Sequence, residues 1–122
     1  IGIKIAKDFG HNIVDLKPAL VGLTVQKEQF WFKSLSGISF KANVKILKKE
    51  LFDDILFTHK GISGPAILNA SLYWDKGKIV IDFLPNKEIK ELLIYKNRFT
   101  ITQIPLPKRF LKEFFKSIGF ID

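Results

Sequence analysis

The chain of 122 residues contains no cysteine, and this absence excludes several classes of site. Without thiolates there is no disulfide framework, no cysteine-ligated zinc or iron–sulfur centre and no thiol catalysis. His11 and His59 are the only imidazoles, and they do not stand at the spacing of a metal-binding pair. The sequence therefore predicts no metal centre.

The chain also lacks methionine and any long apolar run. No apolar stretch approaches the roughly 18 residues that a membrane-spanning helix needs, and the N-terminal residues do not form a signal peptide. We therefore expect a cytoplasmic protein with no membrane partner. Because the chain opens on Ile1 and has no methionine, we also expect it to be part of a longer protein.

Arginine is scarce although the chain is basic. The net charge is +8, yet Arg98 and Arg109 are the only arginines among 20 basic residues. Arginine makes the planar forks that recognise phosphates and base edges. The composition thus favours a lysine-rich, solubilising surface over a nucleic-acid partner. A basic β-barrel module that binds nucleic acid is the alternative.

Strand patterns dominate the first two thirds of the chain. Apolar residues 38, 40, 42, 44 and 46 alternate with polar ones, which is the clearest strand signal. Lys48, Lys49 and Glu50 are predicted to turn the chain. Further strands are predicted over residues 12–16, 20–25, 30–32, 51–58 and 78–84, with one helix over 65–73.

Helical patterns dominate after Pro85. Asn86 is expected to cap a helix over residues 87–95, with Ile89, Leu92 and Leu93 on its apolar face. A last helix is predicted over 108–118, with a phenylalanine-rich stripe that favours core packing over a membrane surface. A short helix over 2–9, closed by Gly10, begins the chain.

These patterns predict an α+β fold: a small antiparallel β-barrel-like subdomain with one internal helix, plus a small C-terminal helical subdomain. The predicted divisions are residues 1–11 as a flanking helix, 12–85 as the barrel-like part and 86–122 as the helical part. The eight glycines form neither G-x-G-x-x-G nor a Walker loop. We therefore expect the chain by itself to bind no dinucleotide and to have no catalytic activity.

Residues 56–68, LFTHKGISGPAIL, are predicted to run from a strand through a glycine-containing loop into a helix. Unpaired N–H groups at the start of a helix, together with nearby polar side chains, can hold an anion or a carbonyl oxygen. The candidate binding residues are Thr58, His59, Gly61, Ser63 and Gly64. The simpler interpretation is that Ser63 or Gly64 only caps the helix. Both interpretations stay open on the residues alone.

This segment resembles a signature of the BaiN/RdsA-type, or aminoacetone oxidase-like, NAD(P)/FAD-dependent flavoproteins. Further stretches agree in order: Phe9-Gly10-His11 with Lys17-Pro18-Ala19-Leu20-Val21, then Leu72-Tyr73-Trp74 through Leu84-Pro85, then Leu106-Pro107-Lys108-Arg109. One departure is Gly22, which stands where the family usually has proline. A second is the short stretch between Leu84 and Pro107.

The resemblance implies that this chain is the inserted middle domain of a flavin-dependent oxidoreductase. In that family FAD lies on a Rossmann-type domain of the same polypeptide, with NAD(P) as a second cofactor left open here. The insert would cover the flavin and a small-molecule substrate. The candidate residues of the 56–68 segment would then face substrate or flavin.

Overall fold

The computed structural model describes residues 1–95 and 103–120, without the side chains of Leu92, Leu93 and Tyr95. The predicted apolar positions Leu92 and Leu93 thus lie outside the described side chains, and part of the predicted 86–122 unit lies outside the described residues. The elements are α1 (Gly2–Asp8), β1 (Leu23–Thr24), β2 (Ser39–Ile46), β3 (Lys49–Phe57), β4 (Gly61–Ser63), α2 (Pro65–Ala70), β5 (Val80–Asp82), α3 (Lys87–Tyr95) and α4 (Lys108–Ser117).

The five strands form one antiparallel sheet in the order β1-β4-β3-β2-β5. The sheet curls into a half-barrel, and within the described residues β1 and β5 are its two edges. α2 is the internal helix and packs on β2, β3 and β4. The predicted α+β class with an antiparallel, barrel-like sheet is confirmed.

The β2–β3 hairpin is the centre of the sheet, and the period-two pattern that predicted β2 is confirmed. Ala42, Val44 and Ile46 are buried on its inner face, while Lys41 and Lys45 point to solvent. The turn comes one residue earlier than predicted. Leu47 and Lys48 make the turn, so Lys49 and Glu50 already belong to β3.

Two predicted strands are absent from the structure. Residues 12–16 form no strand, and their side chains are exposed instead of covering a face of the sheet. Residues 30–32 lie between two short 3₁₀ turns, Lys27–Gln29 and Lys33–Leu35, and Phe32 is buried there. Aromatic residues are common in strands because their side chains pack well on a half-buried surface. Here an irregular segment buries Phe32 without forming a strand.

Three other predicted elements are shorter than expected. The strands over 20–25 and 78–84 shrink to β1 and β5, and the helix over 65–73 ends at Ala70. A strand at the edge of a sheet pairs with one neighbour instead of two. Its length is therefore limited to the stretch over which that one neighbour stays alongside it. For β5 that pairing covers only Asn43 to Lys45 of β2.

The predicted start of α3 at Asn86 and the predicted end of α4 at Gly119 are confirmed. Asn86 accepts hydrogen bonds at Oδ1 from the backbone N–H groups of Glu88 and Ile89, at 2.9 and 3.3 Å, and so caps α3. Gly119 follows α4 with φ of 86°, and its N–H donates to the carbonyl of Lys116 at 3.2 Å. This left-handed residue ends the helix in the way that glycine favours.

The core lies between the concave face of the sheet, α2 and α4. Phe110 of α4 is almost completely buried, and its ring lies 4.8 to 5.6 Å from the rings of Phe40, Phe57 and Phe83. Phe110 and Leu111 of α4 therefore belong to the same hydrophobic core as the buried residues of the sheet. The phenylalanine stripe packs against the sheet, as expected. The three-part division of the chain remains a prediction.

The N-terminal segment contributes nothing to this core. α1 has no buried residue, and almost every side chain up to Gly22 is exposed. The exposed apolar residues of this segment are Ile1, Ile3, Ile5, Phe9, Ile13, Val14, Leu16, Leu20 and Val21. Within the described residues, no helix is long and apolar enough to cross a bilayer.

Candidate functional site

The segment 56–68 folds as a hairpin followed by a helix, so one more strand is present than the sequence predicted. β3 ends at Phe57, a three-residue turn reverses the chain, and β4 runs back along β3 before α2 begins at Pro65. Thr58 closes the turn: its backbone N–H donates to the carbonyl of Gly61 at 2.8 Å. Its Oγ1 accepts from the N–H of Gly61 at 3.0 Å.

The candidate side chains are spread along this hairpin. His59 is exposed at the turn, whereas Ser63 is half-buried at the opposite end of β4. β4 begins two residues after His59 and ends at Ser63, so the whole of this strand lies between the turn and the start of α2. His59 is accessible at that turn.

Gly61 and Gly64 have structural reasons for lacking a side chain. A Cβ on Gly61 would lie 1.9 Å from the carbonyl oxygen of Leu23, because β1 crosses closely over this residue. Gly64 has φ of 95°, and a Cβ there would lie 2.8 Å from the carbonyl oxygen of Asp54. Neither glycine leaves open space for a ligand where its side chain would be, because the chain's own backbone fills both spaces.

No motif in the sequence pointed to the polar residue Ser71. It is buried, accepts a hydrogen bond at Oγ from the N–H of Val21 at 3.1 Å, and donates to the carbonyl of Leu68 at 2.7 Å. It thus ties the chain before β1 to the end of α2. The neighbouring Gly22 lies against Ser63, with 3.3 Å between its would-be Cβ and Ser63 Oγ.

A cleft of about 620 Å³ lies between the two edges of the sheet. Leu23 and Thr24 of β1 line one side, and Ile79 and Val80 line the side of β5. Its remaining walls include Ile62, Ile67, Phe32 and Trp74. The 56–68 segment therefore reaches the cleft through apolar side chains, not through the polar residues that were predicted to bind.

The charged residues with shifted pKa values lie on the convex side of the sheet. Asn43 donates to Glu50, and this hydrogen bond, with Lys45 nearby, lowers the pKa of Glu50. Burial raises the pKa of Asp82, but Lys90, the N–H of Leu84 and the charge of Lys45 together outweigh burial and lower it. Within the described residues, no group of three metal-ligating side chains occurs.

The sequence of this half-barrel and its helices matches a known family. Residues 17–120 match the family described as "HI0933-like protein barrel and H2TH domain". The chain belongs to this family. The match covers the sheet, α2, α3 and α4, and it leaves α1 outside.

Relatives of the HI0933-like domain include three characterised proteins. A ribosomal RNA dihydrouridine synthase of Haemophilus influenzae is 39% identical over 92 residues, which is 74% of this chain and 23% of the relative. A ribosomal RNA dihydrouridine synthase of Escherichia coli is 35% identical over 95 residues, 75% of this chain and 24% of the relative. A 3-dehydro-bile acid delta(4,6)-reductase of Clostridium scindens is 31% identical over 103 residues, 75% and 25% respectively.

The HI0933-like domain described here does not fit FAD by itself. Dinucleotides are usually held where a parallel strand leads through a glycine-rich turn into a helix whose N-terminus faces the pyrophosphate. All strand pairs among the described residues are antiparallel, and Gly64, just before α2, is packed against the backbone of β3. The described residues therefore lack the parallel strand and open glycine-rich turn that usually hold a dinucleotide.

Proposed function

We propose that this chain is the inserted domain of a flavin-dependent oxidoreductase and that it covers the flavin and the substrate. The proposal rests on the family of this chain together with its length relative to the proteins it matches. The chain is a recognised family domain, and it spans about a quarter of the length of the curated relatives it matches. FAD would be bound by another domain of the same polypeptide.

The names of the relatives support a reductive reaction. Two are named for making dihydrouridine in ribosomal RNA and one for reducing a bile acid. Such reductions need a hydride donor, which in proteins is a cofactor rather than a side chain. In this proposal the HI0933-like domain excludes water and positions the substrate.

The exposed apolar N-terminal segment supports a neighbour in the same polypeptide. Ile1, Ile5 and Phe9 recur at intervals of four residues, so they share one side of α1 and the residues that flank it, and all three are exposed. Contiguous exposed apolar surface of this kind marks an interface. We assign residues 1–11 to the junction with the flavin-binding domain.

The stand-alone nucleic-acid module, the alternative from the sequence, is not favoured. The family match describes a domain, and every relative named above is about four times as long as the aligned part. Cytoplasmic localisation remains part of the proposal. The names of the two relatives of highest identity described above favour ribosomal RNA over the small-molecule substrate that the resemblance implied.

A domain exchange tests the proposed function. The matching domain of the Escherichia coli relative is replaced by residues 17–120 of this chain, and the hybrid is expressed in a strain that lacks the native enzyme. We expect the hybrid to keep its flavin absorbance and to restore part of the dihydrouridine in ribosomal RNA. A folded, flavin-containing hybrid without any activity would contradict a conserved covering role.

The same hybrid tests His59. We expect His59→Ala to lower turnover severalfold without changing flavin content, because an exposed imidazole at a turn is free to contact substrate. An exposed side chain contributes within about 0.5 kcal/mol to stability, so the melting temperature should not move. Lys60→Ala, on the same turn and also exposed, is the matched control. Equal activity of the two variants would remove His59 from the site.

A further inference from the structure

The positive charge of this protein is not spread evenly over its surface. On the sheet, Lys41 lies 3.8 and 3.6 Å from Asp53 and Asp54, and Lys45 lies 3.4 Å from Glu50. Lys90 of α3 pairs with Asp82 of β5. These ion pairs balance the lysines of the sheet, so most of the net charge of +8 lies elsewhere.

α4 carries a concentrated part of that charge. Lys108, Lys112 and Lys116 follow one another at intervals of four residues and so form one stripe along the helix, with Arg109 beside it. All four are exposed, and within the described residues none lies within 4 Å of a carboxylate. We call these four residues the basic stripe.

The basic stripe is held rigidly. The opposite side of α4 is buried through Phe110 and Leu111, so the helix cannot roll to another orientation. Arg109 Nη2 donates to the carbonyl of Ser34 at 2.6 Å, which brings the exposed Lys33 next to the first turn of α4. Because its apolar face is occupied, α4 cannot insert that face into a membrane.

The basic stripe also begins at the end of α4 where positive charge is unfavourable for a helix. Lys108 and Arg109 occupy the first turn, where no acidic residue is present and no side chain caps the helix. Cations at this end are disfavoured by the helix dipole, whereas anions are favoured. A local conflict without an internal compensation is typical of a functional surface. A bound phosphate would relieve it.

We propose that the basic stripe of α4 binds the phosphate backbone of RNA. Lysine ammonium groups act as point charges and contact phosphates without reading the bases. The two relatives of highest identity named above are both named for ribosomal RNA. The inference rests on the proposed function, because the covering domain would use the stripe to hold an RNA substrate over the flavin-binding domain.

The salt dependence of binding measures the number of phosphates contacted. Each neutralised phosphate contributes about 0.7 to 0.9 to the slope of log K against log salt, so four contacts predict a slope of about −3. The measurement is fluorescence anisotropy of the 122-residue chain with a labelled RNA hairpin. Circular dichroism verifies that each variant is folded.

The decisive variant is Lys112→Glu with Lys116→Glu. Its matched control is Lys4→Glu with Lys7→Glu on α1, which changes the net charge by the same amount on another exposed helix. We expect the α4 variant to bind RNA at least tenfold more weakly and to lose about 1.5 from the salt slope, whereas the control changes affinity less than threefold. Lys112→Gln with Lys116→Gln should give an intermediate loss and replaces the first variant if that one does not fold.

Three results would overturn the inference: no RNA binding by the native chain, equal weakening by the α4 variant and its control, or equally tight binding of polyglutamate or anionic lipid vesicles. The last result would identify an acidic protein or a membrane surface as the partner. An active domain-exchange hybrid with no RNA binding by the chain would reject the stripe and leave the proposed function intact. RNA binding by the chain together with an inactive hybrid would support the basic stripe and contradict the proposed function.

Discussion

Thr58 determines the shape of the turn between β3 and β4 through one side-chain oxygen. Its Oγ1 accepts from the backbone N–H of Gly61 at 3.0 Å and lies 3.4 Å from that of Lys60. We expect Thr58→Val to lower the free energy of unfolding by about 1 kcal/mol, the usual worth of such a hydrogen bond. Thr58→Ser keeps the acceptor and should lose less. Urea denaturation measures both, and an equal loss would show that the hydroxyl does not matter.

Gly61 is the residue at which the sheet tolerates no side chain. We expect Gly61→Ala to cost about 2 kcal/mol, within the range of overpacking effects, because a Cβ would lie 1.9 Å from the carbonyl oxygen of Leu23. Gly2→Ala is the control, since a Cβ there meets nothing within 4 Å. If the two variants are equally stable, β1 does not pack on β4 as described.

At the scale of elements, α3 is tied to β5 by the ion pair of Lys90 with Asp82. The folded state lowers the pKa of Asp82, so this pair stabilises the protein above the ordinary aspartate pKa, and its contribution is lost as the pH falls through the lowered value. We expect Lys90→Met to cost about 0.5 kcal/mol at pH 7, as for a partly exposed pair.

That difference should shrink as the pH falls below the ordinary aspartate pKa of 3.8 and through the lowered pKa of Asp82, because Asp82 then becomes protonated in both proteins. Lys87→Met is the matched control on the same helix, since Lys87 makes no ion pair among the described residues. Urea midpoints at pH 7 and at low pH supply the comparison. A difference that is constant with pH would show that Lys90 acts through packing and not through its charge.

Elements with a local signature were predictable from the sequence, and those that depend on distant partners were not. The alternation along β2 and the Asn86 cap of α3 depend on residues that are close together in the sequence. The extent of β1 depends on where β4 pairs with it. The structural need for Gly61 arises from Leu23, which is remote in sequence. The exposure of His59 could be predicted because it follows from a local turn. Its separation from α2 by β4 could not, because β4 depends on its pairing with β3.

At the scale of the whole molecule, α4 completes the core of the half-barrel. We expect Phe110→Ala to cost about 3 to 5 kcal/mol, as for other buried phenylalanines, and to unfold the sheet together with the helix. Phe52→Ala is the control, because Phe52 lies on β3 but is 62% exposed. Loss of helix signal with an intact sheet would show instead that α4 and the sheet are independent units.

The central claim is that this domain covers a flavin bound by another domain. Acrylamide quenching of flavin fluorescence tests it directly, in the hybrid with the Escherichia coli relative and in a version in which residues 17–120 are replaced by a flexible linker. We predict that both proteins hold flavin and that quenching rises several-fold when the domain is absent. Unchanged quenching, or loss of the flavin together with the domain, would contradict it.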